Sequence, residues 1–175
     1  MRKHLVMTVT GNDRVGLVEE VTRLILDYHG NVDRSQMVRL GGEFSMLLLV
    51  SVPAGQFNKL REGVRALRES GYKISTRETQ RGFSSRFATW STWQVNVDGA
   101  DHEGIIHEVT RFLSRQSINI EAMETGMEQM AMSGGQLFTM RSTVVVPPDL
   151  DTQELQDNLE AIGQRLNVDI TVERR

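Results

Sequence analysis

Residues 11–23 read GNDRVGLVEEVTR, and residues 99–111 read GADHEGIIHEVTR, the same pattern at an offset of 88 residues. Gly11, Asp13, Gly16, Glu20, Val21, Thr22, Arg23 and Asn31 recur as Gly99, Asp101, Gly104, Glu108, Val109, Thr110, Arg111 and Asn119. Self-similarity at a long fixed spacing constrains a fold before any local propensity does. Two copies are too few for a solenoid, so the chain reads as two similar domains in tandem. Farther on, GGEFSMLLLVSVP (41–53) is echoed by GGQLFTMRSTVVVP (134–147), with an insertion in the second copy before Gly134.

Within each copy the hydrophobic period changes along the chain. Leu5, Met7 and Val9 alternate with polar neighbours over 4–10, which predicts a strand. Val15, Val18, Val21, Leu24, Ile25 and Tyr28 keep helical spacing, and Gly30 is the expected stop. Strands are expected over 31–40 and 43–52 around a Gly41-Gly42 turn. A second helix carries Phe57, Leu60, Val64 and Leu67 and ends at Gly71, and 72–79 alternates as a closing strand. The second copy repeats this with strands at 92–98, 118–128, 136–146 and 167–173. Its helices fall near 103–116 and along Leu155, Leu159, Ile162 and Leu166, the latter capped by Asp149 or Asp151. The order β-α-β-β-α-β predicts an α+β class: two tandem ferredoxin-like domains, each a four-stranded antiparallel sheet with two helices on one face. The domains are expected at 1–80 and 92–175, with 81–91 as linker. The continuous apolar run MLLLV (46–50) departs from alternation and predicts a strand covered on both faces, by the second domain or another subunit.

Composition narrows the function classes. The chain has 175 residues, no cysteine, and a net charge of −3. Thiolate zinc sites, disulfides and cysteine nucleophiles are excluded. Direct nucleic-acid binding is disfavoured, because it draws on clustered Lys and Arg. No apolar run approaches a membrane span, and the N-terminus reads as a strand and not as a signal peptide. The expected compartment is the cytoplasm, with no membrane partner.

The segment GNDRVG lies where the first strand gives way to the first helix. Asp13 there is a good N-cap, worth about 1 kcal/mol over Ala. Gly16 in the first helical turn costs roughly 0.5–1 kcal/mol relative to Ala, a cost that both copies accept. One reading is close packing at a missing side chain; the other is a ligand at the helix N-terminus, where free N–H groups hold carboxylates. The loop suits a zwitterion, its carboxylate on backbone N–H and its ammonium on Asp13 or Asn31, so free amino acids are the ligand class the residues suggest.

The stretch from Gly11 to Pro53 resembles an ACT domain, through G-x-D-R-x-G, an apolar pair, a helix, G-N-V and a hairpin. ADHEGIIHEVTRFLSRQSINIEAMET is similar to it more loosely. Two such units filling a chain are similar to the family of glycine cleavage system transcriptional repressors. The resemblance implies a regulatory role, an amino-acid ligand (glycine or serine) bound where domains pair, a homodimer and a regulated protein partner. It implies ligand contacts from Asn12, Asp13, Gly16, Leu17, Asn31 and Val32, and in the second copy from Asp101, Gly104, Ile105, Asn119 and Ile120. The proline often found before the loop glycine is Val15 and Glu103 here, and His102 replaces Arg14. Glu103 sets a negative charge near a carboxylate subsite.

Three sharper motifs are weighed against this. HEGIIHE (102–108) spaces its histidines five apart, which diverges on a helix and does not make a zinc pair. Met123, Met127, Met130 and Met132 read as adaptable packing ahead of copper ligation. Phe44 and Phe138 are too few aromatics for base stacking on a sheet. An acyl-phosphatase reading would need Arg14 and Asn31 together. No catalytic set, metal or cofactor is expected. The alternatives to a ligand-binding regulator are an interaction module without ligand and a small enzyme of this fold.

Overall fold

A computed structural model describes residues 1–79, 87–129 and 136–175. The chain divides into two compact units, Met1–Ser84 and Ser85–Arg175. Residues 81–86 of the expected linker, and Met130, Met132 and Gly134, lie outside the described residues.

The first unit runs β1 (Arg2–Asn12), α1 (Leu17–Asp27), β2 (Asn31–Leu40), β3 (Glu43–Pro53), α2 (Phe57–Gly63), α3 (Arg65–Glu69) and β4 (Lys73–Thr79). The second runs β5 (Ser91–Ala100), α4 (Ile105–Arg115), β6 (Asn119–Gln129), β7 (Gln136–Val146), α5 (Thr152–Leu166) and β8 (Val168–Arg174). Sheet orders are β2-β3-β1-β4 and β6-β7-β5-β8, with every neighbouring pair antiparallel. This is the tandem βαββαβ arrangement expected.

The alternation that predicts β1 decides which face is buried. Leu5, Met7 and Val9 share a side with Met46, Leu48 and Val50, and all six are sealed in one core. Leu17, Val21 and Ile25 of α1 and Phe57, Leu60, Val64 and Leu67 of the second helical segment close over them. The second unit repeats this with Val95, Val97, Met140, Val144, Ile105, Val109, Leu113, Leu155 and Leu159.

Three expectations are corrected. The helical stripe of α1 is Leu17, Val21 and Ile25; Val15 is fully exposed and Val18 is 39% exposed. The chain is still turning at Val15, so helical phase begins two residues later than the apolar spacing suggests. Of MLLLV, Met46, Leu48 and Val50 are buried by the unit itself, while Leu47 is 46% exposed and Leu49 is half-buried. The second helix is interrupted at Val64, although the bonds Val64 N–H to Leu60 O and Arg68 N–H to Val64 O, both 3.2 Å, carry the turn across. Gly30 does not stop α1. His29 takes the left-handed conformation (φ 55°), with His29 N–H bonding Leu26 O and Gly30 N–H bonding Ile25 O. That is the paired bonding of a left-handed helix terminus. Ser117 (φ 58°) ends α4 the same way.

Candidate functional site

Both repeated loops are built alike. Gly16 (φ 90°, ψ −7°) and Gly104 (φ 98°, ψ −10°) are the N-caps of α1 and α4. The Leu17 N–H bonds the Arg14 carbonyl at 3.5 Å, so Arg14 to Leu17 is a turn of type II with glycine at its third position. An added Cβ at either glycine meets nothing within 4 Å. The glycines are therefore set by backbone handedness and not by a close neighbour, which corrects the packing reading. Close approach instead marks the glycines near the ends of β1 and its counterpart β5: at Gly11 a Cβ would meet the Tyr72 ring at 2.7 Å, and at Gly99 it would meet Val168 at 2.5 Å.

Asp13 is not an N-cap. Arg14, Val15 and Gly16, which form the turn, separate it from α1, and no side chain caps that helix. Its carboxylate instead faces Arg39 Nη1 at 3.4 Å, a residue not singled out from the sequence. The same lack of a side-chain cap holds for α4. By contrast, Asp151 caps α5 by accepting from Gln153 N–H (2.9 Å) and Glu154 N–H (3.3 Å). Neither helix that follows a repeated loop has a side-chain cap, a state α1 and α4 share with α2 and α3. The second residue of each loop is tied back differently. Arg14 pairs with Glu20 and stands 5.5 Å over the Tyr72 ring. His102 lies between the carbonyls of Glu103 (3.1 Å from Nδ1) and Leu166 (2.7 Å from Nε2).

Asn31 is not part of this loop. It pairs with Ser51 on β3, whereas Asn12 pairs with Glu43. Eight residues of β3 separate those positions, roughly 27 Å at about 3.4 Å per residue. Asp13 and Asn31 thus lie at opposite ends of one sheet, and a single amino acid cannot touch both within the unit. Asn119, opposite Val145 on β7, is equally far from Asp101. The same separation removes the acyl-phosphatase constellation of Arg14 with Asn31.

Around Asn31 the structure gathers groups that the sequence did not point to. Asn31 Nδ2 donates to Asp33 Oδ1 (2.9 Å), and Ser51 Oγ donates to the same oxygen (3.0 Å). Arg2 Nη2 donates to the Ser51 carbonyl at 2.7 Å, and His4 Nε2 lies 3.7 Å from Asp33 Oδ2. Asp33 is placed by a bulge between Val32 and Arg34, and Glu121 sits at the matching bulge between Ile120 and Ala122. The one available signal was an acidic residue two positions after Asn31 and again after Asn119.

The apolar site residues implied by the resemblance are core residues. Leu17 and Ile105 are buried, and Val32 and Ile120 pack against the two cores. Leu17 and Ile105 can therefore offer a ligand only backbone groups, while Val32 and Ile120 keep part of their surface exposed. Asn12, Asp13, Gly16, Asp101 and Gly104 are exposed. Among the described residues no three His, Asp or Glu side chains gather as a metal would require, and no helix is long and apolar enough to cross a membrane.

The profile of the ACT domain family matches residues 3–75, the span from β1 to the middle of β4. The first unit is an ACT domain. The second repeats its element order and sheet topology, so the chain is an ACT-like tandem repeat. Over 167 residues the chain is 24% identical to the glycine cleavage system transcriptional repressor of Escherichia coli K12, covering 94% of this chain and 86% of that protein. A crystal structure of an unknown protein from Galdieria sulphuraria is 31% identical, with a TM-score of 0.82 over 100% of this chain and 99% of that one. A solved structure named only provisionally as a glycine cleavage system transcriptional repressor shares the fold at 21% identity, with a TM-score of 0.69 over 100% of this chain and 98% of that one.

Proposed function

We propose that this tandem ACT protein is a non-enzymatic, cytoplasmic regulator. It binds a small amino acid, glycine or serine, where ACT domains of two copies meet, and the bound state alters contact with a partner protein. The observation that carries the reading is the duplicated loop, in which an uncapped helix N-terminus lies beside an exposed carboxylate. Free N–H groups and the positive dipole end suit the ligand carboxylate, and Asp13 suits its ammonium. The candidate ligand residues are Asn12, Asp13, Gly16 and Leu17 at one end of the sheet and Asn31 and Val32 at the other. In the second unit they are Asp101, Gly104 and Ile105, with Asn119 and Ile120 at the far end.

The separation of the two groups supports a shared site. A ligand touching both Asp13 and Asn31 has to take them from different domains, which a homodimer provides. A ligand bound between copies favours the associated state by linkage, and that is how a small molecule alters what the protein touches. Relation to a transcriptional repressor is the reason to place the regulated process in transcription, through a protein partner and not by direct contact with nucleic acid.

The test is thermal unfolding of the full chain against each amino acid. A ligand specific for the folded state at 100 times its dissociation constant adds about 2.7 kcal/mol. A rise in Tm with glycine or serine that Asp13→Ala and Asn31→Ala both abolish supports the site. No rise with any amino acid overturns ligand binding and leaves the interaction-module reading.

A further inference from the structure

The two repeated loops are fastened to the rest of their units by different cations. In the first unit the guanidinium of Arg14 reaches Glu20 and the Tyr72 ring, at the junction between α3 and β4. In the second unit His102 occupies the same place in the repeat and reaches the Leu166 carbonyl, at the junction between α5 and β8. A guanidinium carries its charge at every physiological pH. An imidazole does not.

Both ring nitrogens of His102 are within hydrogen-bond distance of a carbonyl oxygen: Nδ1 of Glu103 at 3.1 Å and Nε2 of Leu166 at 2.7 Å. A carbonyl can only accept. A neutral imidazole has a single N–H and can satisfy one of the two; the imidazolium has two donors and satisfies both. Leu166 is the last residue of α5, so its carbonyl stands at the negative end of that helix.

The charged neighbours of His102 along the chain are acidic. On its own loop His102 is flanked by Asp101 and Glu103. Beside the α5–β8 junction, Glu160 and Asp169 line one groove together with Asn167, Val168 and Asp98, the last paired with Arg141 Nη2 at 2.5 Å. The nearest arginine on α5, Arg165, is turned to Glu108 at 2.9 Å. The Leu166 carbonyl first, then the Glu103 carbonyl and then the Asp101 charge raise the proton affinity of His102 above the ordinary histidine range.

We propose that His102 is a positioning residue which holds the ligand loop of the second unit, Asp101 to Gly104, by both ring bonds only as an imidazolium, so that this loop is proton-gated while its counterpart in the first unit is not. Loss of the proton leaves one N–H for two carbonyls, so one of the two bonds is lost and the loop is held less firmly. The part concerning the ligand rests on the function proposed above; the gating of the loop does not. The sign follows from linkage: the contribution of His102 to folding is complete below its unfolded value of about 6.5 and is lost as pH rises through its higher folded value.

The test is a histidine and backbone NMR titration of the full chain without ligand, from about pH 5 to about pH 9, across the range where histidine changes charge. The expected result is a His102 midpoint above about 6.5, with the amides of 101–105 and Asn167 moving at that midpoint. The amides of 13–17 do not move with it. His102→Arg removes the pH response of the loop and keeps the low-pH shifts; His102→Gln removes the response and keeps the high-pH shifts. A His102 midpoint at or below the ordinary value, or loop amides indifferent to it, overturns the proposal. Repeating the titration with saturating glycine separates the two readings. If the loop titrates but glycine shifts nothing, the gate stands and ligand binding fails.

Discussion

At the scale of single residues, the repeated glycines carry the clearest consequence. Gly16 takes φ 90° with open space around a hypothetical Cβ, so Gly16→Ala is disfavoured by handedness alone, by about 1–2 kcal/mol. Val15 precedes it at the turn position that favours proline, and its side chain is fully exposed. Val15→Pro is expected to raise stability by about 0.4–1 kcal/mol, through the smaller entropy of the unfolded chain. Urea unfolding of both variants checks the pair, and a destabilised Val15→Pro would contradict the type II geometry. Asp13 gives the complementary case. It caps nothing, and its contact with Arg39 is exposed and 3.4 Å long, so Asp13→Ala is expected to change stability by less than about 0.5 kcal/mol. An N-cap would lose about 1 kcal/mol. Asp151→Ala, at a cap with two bonds, is the internal control and is expected to show that loss.

At the scale of elements, β3 separates pattern from burial. Leu47 and Leu48 are adjacent and chemically identical, yet Leu48 is fully buried and Leu47 is 46% exposed. Leu48→Ala is expected to cost about 2–5 kcal/mol and Leu47→Ala less than about 0.5 kcal/mol, measured by denaturant unfolding. Equal losses would mean that the outer face of β3 is covered in solution. The helix ends make a second point. His29 and Ser117 occupy left-handed positions that glycine fills at lower strain. His29→Gly and Ser117→Gly are each expected to gain up to about 1 kcal/mol, since L-residues carry a penalty of that order there. Most element boundaries were legible because alternation and helical spacing report which face is buried. The start of α1 was not, because Val15 and Val18 extend the helical spacing through a turn that is not helix, and only the backbone hydrogen bonds distinguish the two.

At the scale of the whole molecule, the duplicated units set the terms for assembly. The proposed site takes Asp13 from one copy and Asn31 from another, so ligand and dimer are linked. Sedimentation velocity at low micromolar concentration is expected to show the dimer fraction rising when saturating glycine or serine is added, and Asn31→Ala is expected to abolish the rise. A ligand that raises Tm without changing the mass would place the whole site within one copy and contradict the shared arrangement. The exposed apolar residues of the edge strand β2, Met37, Val38 and Leu40, make that edge the first surface to probe by substitution with lysine.

The sequence by itself determined the duplication, the order of elements in each copy, the class of fold and the inward faces. Those follow from local periods: an alternating strand or a 3.6-residue stripe has only one way to bury its apolar side. It also marked the loops, because a glycine forced into left-handed backbone leaves a trace at the same place in both copies. Only the tertiary structure decided what the marked residues do. Asp13 and Asn31 are separated by a helix in sequence and by the length of a sheet in space, since α1 carries the chain from one end of β1 to the other. Leu17 and Ile105 turn inward because the helical phase starts at the glycine. His102 meets Leu166 because α5 ends beside the loop that β5 delivers. Sequence spacing fixes which way a residue faces within its element; which residues meet across elements depends on where the strands pair and where the helices end.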